Sequence, residues 1–196
     1  MVSLSVAVAA YLIGSFPTAY VIGKRVRGIN ISEVGTGNIG AMNAYEVTGS
    51  KIIGITVAGI DILKGLIVTL IAQDKFGLGI VAAFFAVLGH NYSIFMRFKG
   101  GRGLATAAGS LMIIQPVSVA IYLATYLLLR AAKLKLYLSS VIGIVVASIP
   151  VLLELIGKPT SVIFAALLLI VVLSKHLVPL KNELQNGIQN FIRLKN

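Results

Sequence analysis

Long uncharged apolar runs alternate along this chain with short segments in which the cations collect. The first run, Leu4 to Gly23, precedes the first charge at Lys24. It therefore lacks the basic start of a cleaved signal peptide and reads as a retained membrane span with its N-terminus outside. A second run covers Ile52 to Ala72, interrupted by Asp61 and Lys64, and Gln73-Asp74-Lys75 links it to a third from Phe76 to about Phe95. The stretch Leu104 to Leu129 exceeds the roughly 20 residues of one crossing. Gln115-Pro116 breaks it near its middle, where proline removes a helix hydrogen bond, so two short helices meeting at a turn are expected. A span from about Leu138 to Ile156, a Gly157-Lys158-Pro159 turn, a span from Thr160 to Leu173 and a basic, polar tail from Lys175 complete the pattern.

Charge orients these spans. Lys24, Arg25, Arg27 and Lys51 precede the second run, Arg97, Lys99 and Arg102 follow the third, and Arg130, Lys133 and Lys135 follow the broken stretch, while the opposite turns hold only Lys75 and Lys158. By the positive-inside rule this gives seven transmembrane helices with the N-terminus out and the C-terminus cytoplasmic. The expected fold is an all-α polytopic integral membrane bundle, one domain over residues 1–196. Composition agrees, with 58% hydrophobic residues, 12% charged residues and a mean hydropathy of +0.97. A net charge of +11 would suggest nucleic acid in a soluble protein; here it follows the topology, and the lipid bilayer, not nucleic acid, is the expected partner. The absence of cysteine excludes disulfides and thiolate catalysis, and two histidines with six acids make no metal site expected. No repeat suggests a solenoid or an inverted-repeat transporter.

Candidate chemistry lies in the inner segments. Gly35-Thr36-Gly37-Asn38-Ile39-Gly40-Ala41-Met42-Asn43 matches G-x-G-x-x-G, but no strand precedes it, so a dinucleotide site fails. Its glycines let backbone N–H groups approach an anion and its asparagines add amide donors; the alternative is a flexible polar turn. Gly89-His90-Asn91-Tyr92 leads to Arg97-Phe98-Lys99-Gly100-Gly101-Arg102-Gly103 and directly into a helix at Leu104. Cations and glycines at a helix N-terminus suit phosphate, whereas the positive-inside rule alone explains the charge but not the glycines. Asp61 and Lys64, spaced i, i+3, share a helix face and can pair, since a lone charge at mid-bilayer costs roughly 2.5–3.5 kcal/mol. The pair is read as a structural clamp or as part of a site. His90 and His176 stand at inner helix ends, as an acid, base or donor, or as packing residues. Ser139 and Ser140 start a span as ligand donors or as caps.

In this order and spacing the clusters resemble the bacterial membrane-bound acyl-phosphate:glycerol-3-phosphate acyltransferases, the PlsY family. The carriers are Gly35 to Asn43, Asp61-Ile62-Leu63-Lys64-Gly65, Gly89-His90, Phe98-Lys99-Gly100-Gly101-Arg102-Gly103-Leu104-Ala105-Thr106, Tyr137-Leu138-Ser139 and Lys175-His176. The resemblance implies a cell (inner) membrane enzyme, expected to be a monomer without cofactor, whose active site faces the cytoplasm. It would acylate glycerol-3-phosphate from acyl phosphate, giving lysophosphatidic acid and inorganic phosphate. Thr36, Asn38, Arg102, His90 and His176 would be catalytic. Gly35, Gly37, Gly40, Asn43, Lys99, Gly100, Gly101, Gly103, Thr106, Ser139 and Lys175 would bind substrate. Glu46 stands where the family usually has Arg, and Pro179 where it has Asn. Two other readings stay open: a relative that acylates another acceptor, and a small transporter or binder of a phosphorylated ligand.

Overall fold

The computed structural model describes residues 1–193, and every regular element among them is helical. In chain order these are α1 (Val2–Ser15), α2 (Thr18–Arg27), α3 (Ala41–Thr48), α4 (Lys51–Phe76), α5 (Gly79–Asn91), a 3₁₀ turn (Ile94–Met96), α6 (Leu104–Ile114), α7 (Pro116–Ala131), α8 (Leu136–Glu154) and α9 (Pro159–Arg193). Five stretches are long and apolar enough to cross a membrane: Val2–Arg27, Lys51–Phe76, Gly79–Met96, Leu136–Glu154 and Pro159–Asn186. The shorter apolar helices α6 and α7 meet at Gln115-Pro116, with Pro116 at the first position of α7, where its missing N–H breaks no intrahelical bond.

Two features differ from the sequence reading. The first apolar run is broken at Phe16-Pro17, where α1 ends and α2 begins; proline supplies no N–H to continue the ladder. At the other end the polar tail does not leave the helix at Leu173, because α9 continues through Pro179 to Arg193. The tail cation Lys195 lies outside the described residues.

Packing follows residue size. One face of α4, with Ile53, Val57, Asp61, Lys64, Val68 and Ala72, is buried, while Ile55, Leu63, Ile67 and Leu70 are exposed toward the lipid position. The helical period separates the two faces. At the α4–α6 crossing, Gly65 abuts the Thr106 carbonyl and Gly109 abuts the Ile62 carbonyl, leaving no room for side chains. Small residues permit the close backbone approach on which helix association in membranes depends. Between α5 and α9, Phe84, Phe85 and Phe164 form an aromatic cluster with centroids 4.9 to 6.2 Å apart. These contacts bring the start of α6, the end of α5, the start of α8 and the polar part of α9 to one end of the bundle.

A candidate active site at the helix ends

At that end lies a cleft of about 240 Å³ whose lining includes Asn38, Gly40, Asp61, His90, Arg102 and His176, with Tyr122, Tyr126, Tyr137 and Ser140 on other walls.

The first wall is the loop before α3. Asn43 is fully buried, and its amide accepts the Thr36 N–H at 2.9 Å and donates to the carbonyls of Ile31 and Val34 at 3.1 Å each. One side chain thus ties three loop residues to α3, and Asn38 and Gly40 reach the cleft from this frame.

The second wall is the segment from His90 to Gly103. Arg97 and Phe98 both have positive φ, 52° and 61°, a left-handed conformation that side chains disfavour. Bonds from the Phe98 N–H to Ser93 O at 2.8 Å and from the Lys99 N–H to Met96 O at 3.1 Å hold the turn. The Gly101 N–H then donates to His90 O at 2.9 Å, and the Ile39 N–H donates to Gly100 O at 3.3 Å, joining the two walls. Gly101 meets the Nε2 edge of the His90 ring: a Cβ there would sit 2.8 Å from Cε1 and 2.9 Å from Cδ2. Glycine is required here by contact. The result places Arg102 in the cleft with its guanidinium carbon 4.8 Å from the centroid of the Tyr137 ring, a cation–π distance.

A buried charge cluster forms the floor. Asp61 Oδ1 accepts from Lys64 Nζ and from Thr18 Oγ1, both at 2.9 Å, and Lys64 also donates to Phe16 O at 3.0 Å. The break at Pro17 makes this last carbonyl available. His90 Nδ1 lies 3.7 Å from the same carboxylate oxygen. Opposite charges so compensated can be buried, where either alone could not. Across the cleft, buried His176 has Nδ1 2.8 Å from the Val172 carbonyl. A carbonyl only accepts, so Nδ1 carries the hydrogen and Nε2 keeps the lone pair of the neutral ring.

Of the residues singled out from sequence, Asn38, Gly40, His90, Arg102, Gly103 and His176 line this cleft. Gly35, Thr36 and Gly37 belong to the loop behind Asn38, which Asn43 of α3 holds. Lys99 and Gly100 line a small neighbouring cavity with Ser15, Ser93 and His90. The Lys175 ammonium sits 4.0 Å from the centroid of the Tyr92 ring. Ser139 donates to Lys135 O at 2.8 Å, and the Thr106 hydroxyl is buried without a partner. Glu46 is exposed on α3 and is not part of the cleft lining. Ser140, read from sequence as a ligand donor or a cap, also lines the cleft; the sequence reading missed Tyr122 and Tyr126 and left Asp61 between a clamp and a site. The four-residue spacing of the two tyrosines was a legible signal: it stacks their rings on one face of α7, 5.9 Å apart. Among the described residues no group of three His, Asp or Glu side chains could hold a metal ion.

Beside the cleft runs an apolar groove of about 80 Å³ between α6, α7, α8 and α9, walled by residues such as Leu111, Ala147, Ala165 and Leu168. Leu104 and Tyr122 line both spaces, and Tyr122 OH lies 3.2 Å from Ser140 Oγ at their junction. A polar chamber beside an apolar one, with two wall residues in common, suits a molecule with a charged head and a hydrocarbon tail.

Comparison with known proteins agrees with this architecture. The family model described as glycerol-3-phosphate acyltransferase matches residues 4–186. Glycerol-3-phosphate acyltransferase 2 of Moorella thermoacetica is 48% identical over 114 residues, covering 57% of this chain and 58% of that relative, so the match spans under two thirds of its length. Glycerol-3-phosphate acyltransferase of Clostridioides difficile is 32% identical over 198 residues, covering 97% of this chain and 95% of the relative. Among solved structures, PlsY, an integral membrane glycerol 3-phosphate acyltransferase, superposes in its glycerol 3-phosphate form with a TM-score of 0.82 at 31% identity, covering 95% of this chain and 94% of that one. Its lysophosphatidic acid form gives a TM-score of 0.79 at 30% identity, covering 95% and 93%.

Proposed function

Because this chain belongs to the glycerol-3-phosphate acyltransferase family, we propose that its adjacent cleft and groove transfer a fatty acyl group from acyl phosphate to glycerol-3-phosphate, yielding lysophosphatidic acid and inorganic phosphate. The observation that supports this reading is that the two spaces are adjacent and share the wall residues Leu104 and Tyr122. The hydrocarbon tail occupies the groove, and the acyl carbonyl and both phosphorylated groups meet in the cleft. The C1 hydroxyl oxygen bonds to the carbonyl carbon, the bond from that carbon to the phosphate oxygen breaks, and phosphate leaves with the bonding pair. The hydroxyl proton has two acceptors, Nε2 of His176 and the departing phosphate. Phosphate is already a good leaving group, so the protein's task is to hold two anions together and stabilise the tetrahedral oxyanion. Arg102 and the donors around Asn38 and Gly40 suit that task.

Acceptor recognition is compatible with Glu46, whose exposed side chain lies outside the cleft lining. For topology, the reading takes the chain as a single domain of a monomeric, multi-pass protein of the cell (inner) membrane. It has seven crossings, the N-terminus outside and the cleft facing the cytoplasm. The supporting argument is charge: Lys24 to Arg27, Arg97 to Arg102 and Arg130 to Lys135 fall on one side only if α6 and α7 enter and return as a pair. The test supplies purified protein with palmitoyl phosphate and glycerol-3-phosphate. Equimolar phosphate and lysophosphatidic acid are expected, and no lysophosphatidic acid would overturn the assignment.

A further inference from the structure

α8 starts at Leu136 with Lys135 at its N-cap, and no side chain of that residue caps the helix. A lysine has no acceptor to offer, so the first amides of α8 need one from elsewhere. Glu183 supplies it across 46 and 45 residues of sequence: its carboxylate accepts the Tyr137 N–H at 3.2 and 3.1 Å and the Leu138 N–H at 3.2 Å. In return Lys135 Nζ donates to the backbone carbonyl of Glu183 at 2.8 Å. Both charges sit where the local backbone dipoles favour them, the anion at a helix N-terminus and the cation on a carbonyl.

This clamp reaches the reacting groups in one step. Tyr137, held through its amide by Glu183, is the ring over which the Arg102 guanidinium lies. Tyr137, Arg102 and Ser140 all line the cleft, and so does His176, seven residues before Glu183 on α9 and about 10 Å along the helix axis at 1.5 Å per residue. Glu183 itself is outside the lining. We propose that Glu183 is a positioning residue for acyl transfer: by capping α8 from α9 it fixes Tyr137 and, through the stacked ring, aims Arg102 at substrate phosphate. The proposal rests on the functional reading above.

The test is a double-mutant cycle between Glu183 and Arg102, read in steady-state kinetics and in phosphate binding. Arg102 meets phosphate before the chemical step, so Glu183→Ala is expected to raise KM for glycerol-3-phosphate roughly tenfold, the scale of a small misplacement in a site, with kcat changed far less. Glu183→Gln keeps an oxygen acceptor for the amides and is expected to stay within about twofold of the native KM. In an Arg102→Ala background, Glu183→Ala is expected to add nothing. Independent and additive losses would overturn the proposal, since they would mean that Glu183 does not act through Arg102. If Glu183→Ala fails to fold, Glu183→Asp carries the same cycle with a shorter reach. Calorimetric titration with inorganic phosphate gives a second arm: Glu183→Ala weakens binding only when Arg102 is present, and equal weakening in both backgrounds contradicts the coupling. A native protein that binds phosphate in this Arg102-dependent way but makes no lysophosphatidic acid would defeat the acyl-transfer reading and leave the coupling intact.

Discussion

Gly101→Ala probes the junction on which the whole cleft depends. The added Cβ would lie 2.8 Å from Cε1 and 2.9 Å from Cδ2 of His90, and closer still to Nε2, all inside normal contact. The ring cannot simply swing away, because His90 is buried and lies between Gly101 and the Asp61 carboxylate. Nor can Gly101 withdraw freely, because its N–H is bonded to His90 O at 2.9 Å. Relief requires a shift on the order of an ångström, shared between His90 and the strand of loop that carries Arg102. Overpacking of this kind costs about 1–3 kcal/mol of stability, and an ångström of misplacement in an active site costs up to about 100-fold in rate. We expect Gly101→Ala to reduce kcat/KM by about 10- to 100-fold while the protein stays folded in detergent. Gly59→Ala is the control, since no atom lies within 4 Å of the Cβ it would add on α4. Initial rates of lysophosphatidic acid formation measure both. Native turnover in Gly101→Ala would refute the argument that the Gly101–His90 contact sets the geometry of the site.

Further outcomes follow from the same geometry. Arg102→Ala is expected to lose at least about tenfold in kcat/KM, the scale of one lost charge-assisted contact to substrate; unchanged kcat/KM would remove Arg102 from the site. Lys64→Met strands the buried Asp61 carboxylate and is expected to destabilise by about 3–5 kcal/mol, read as a lower Tm in detergent. Adding Asp61→Asn is expected to recover most of that loss, and no recovery would contradict the pairing. Ala147→Phe places a ring in the apolar groove and is expected to depress turnover of long-chain acyl phosphates while sparing short ones. A uniform loss across chain lengths would show that the groove does not hold the tail.

Much of the fold was legible because membrane helices announce themselves by run length, and the Gln115-Pro116 elbow announces itself by proline. The Asp61–Lys64 pair was equally readable, since their spacing puts both on one face and mid-bilayer burial demands a partner. The break at Pro17 was hidden by hydrophobicity that continues on both sides of it. The length of α9 was hidden for the opposite reason: polarity after Lys175 resembles a tail, although an amphipathic helix emerging from the bundle has the same composition. Within the site, His90, Arg102 and His176 were found because charged and titratable residues are scarce in such a chain. Tyr122 and Tyr126 were not, because inside an apolar run they look like ordinary span residues until helix packing turns them into the cleft. Several loop glycines read as an anion cradle prove to have close packing neighbours, Gly101 on His90 above all.

The central claim is that one molecule's head and tail occupy the adjacent cleft and groove. The most direct test is an experimental structure of this protein with lysophosphatidic acid bound. The headgroup phosphate is expected beside Arg102 and the acyl chain between α6, α7, α8 and α9, passing Tyr122. A chain lying elsewhere on the lipid-facing surface, with the groove empty, would contradict it.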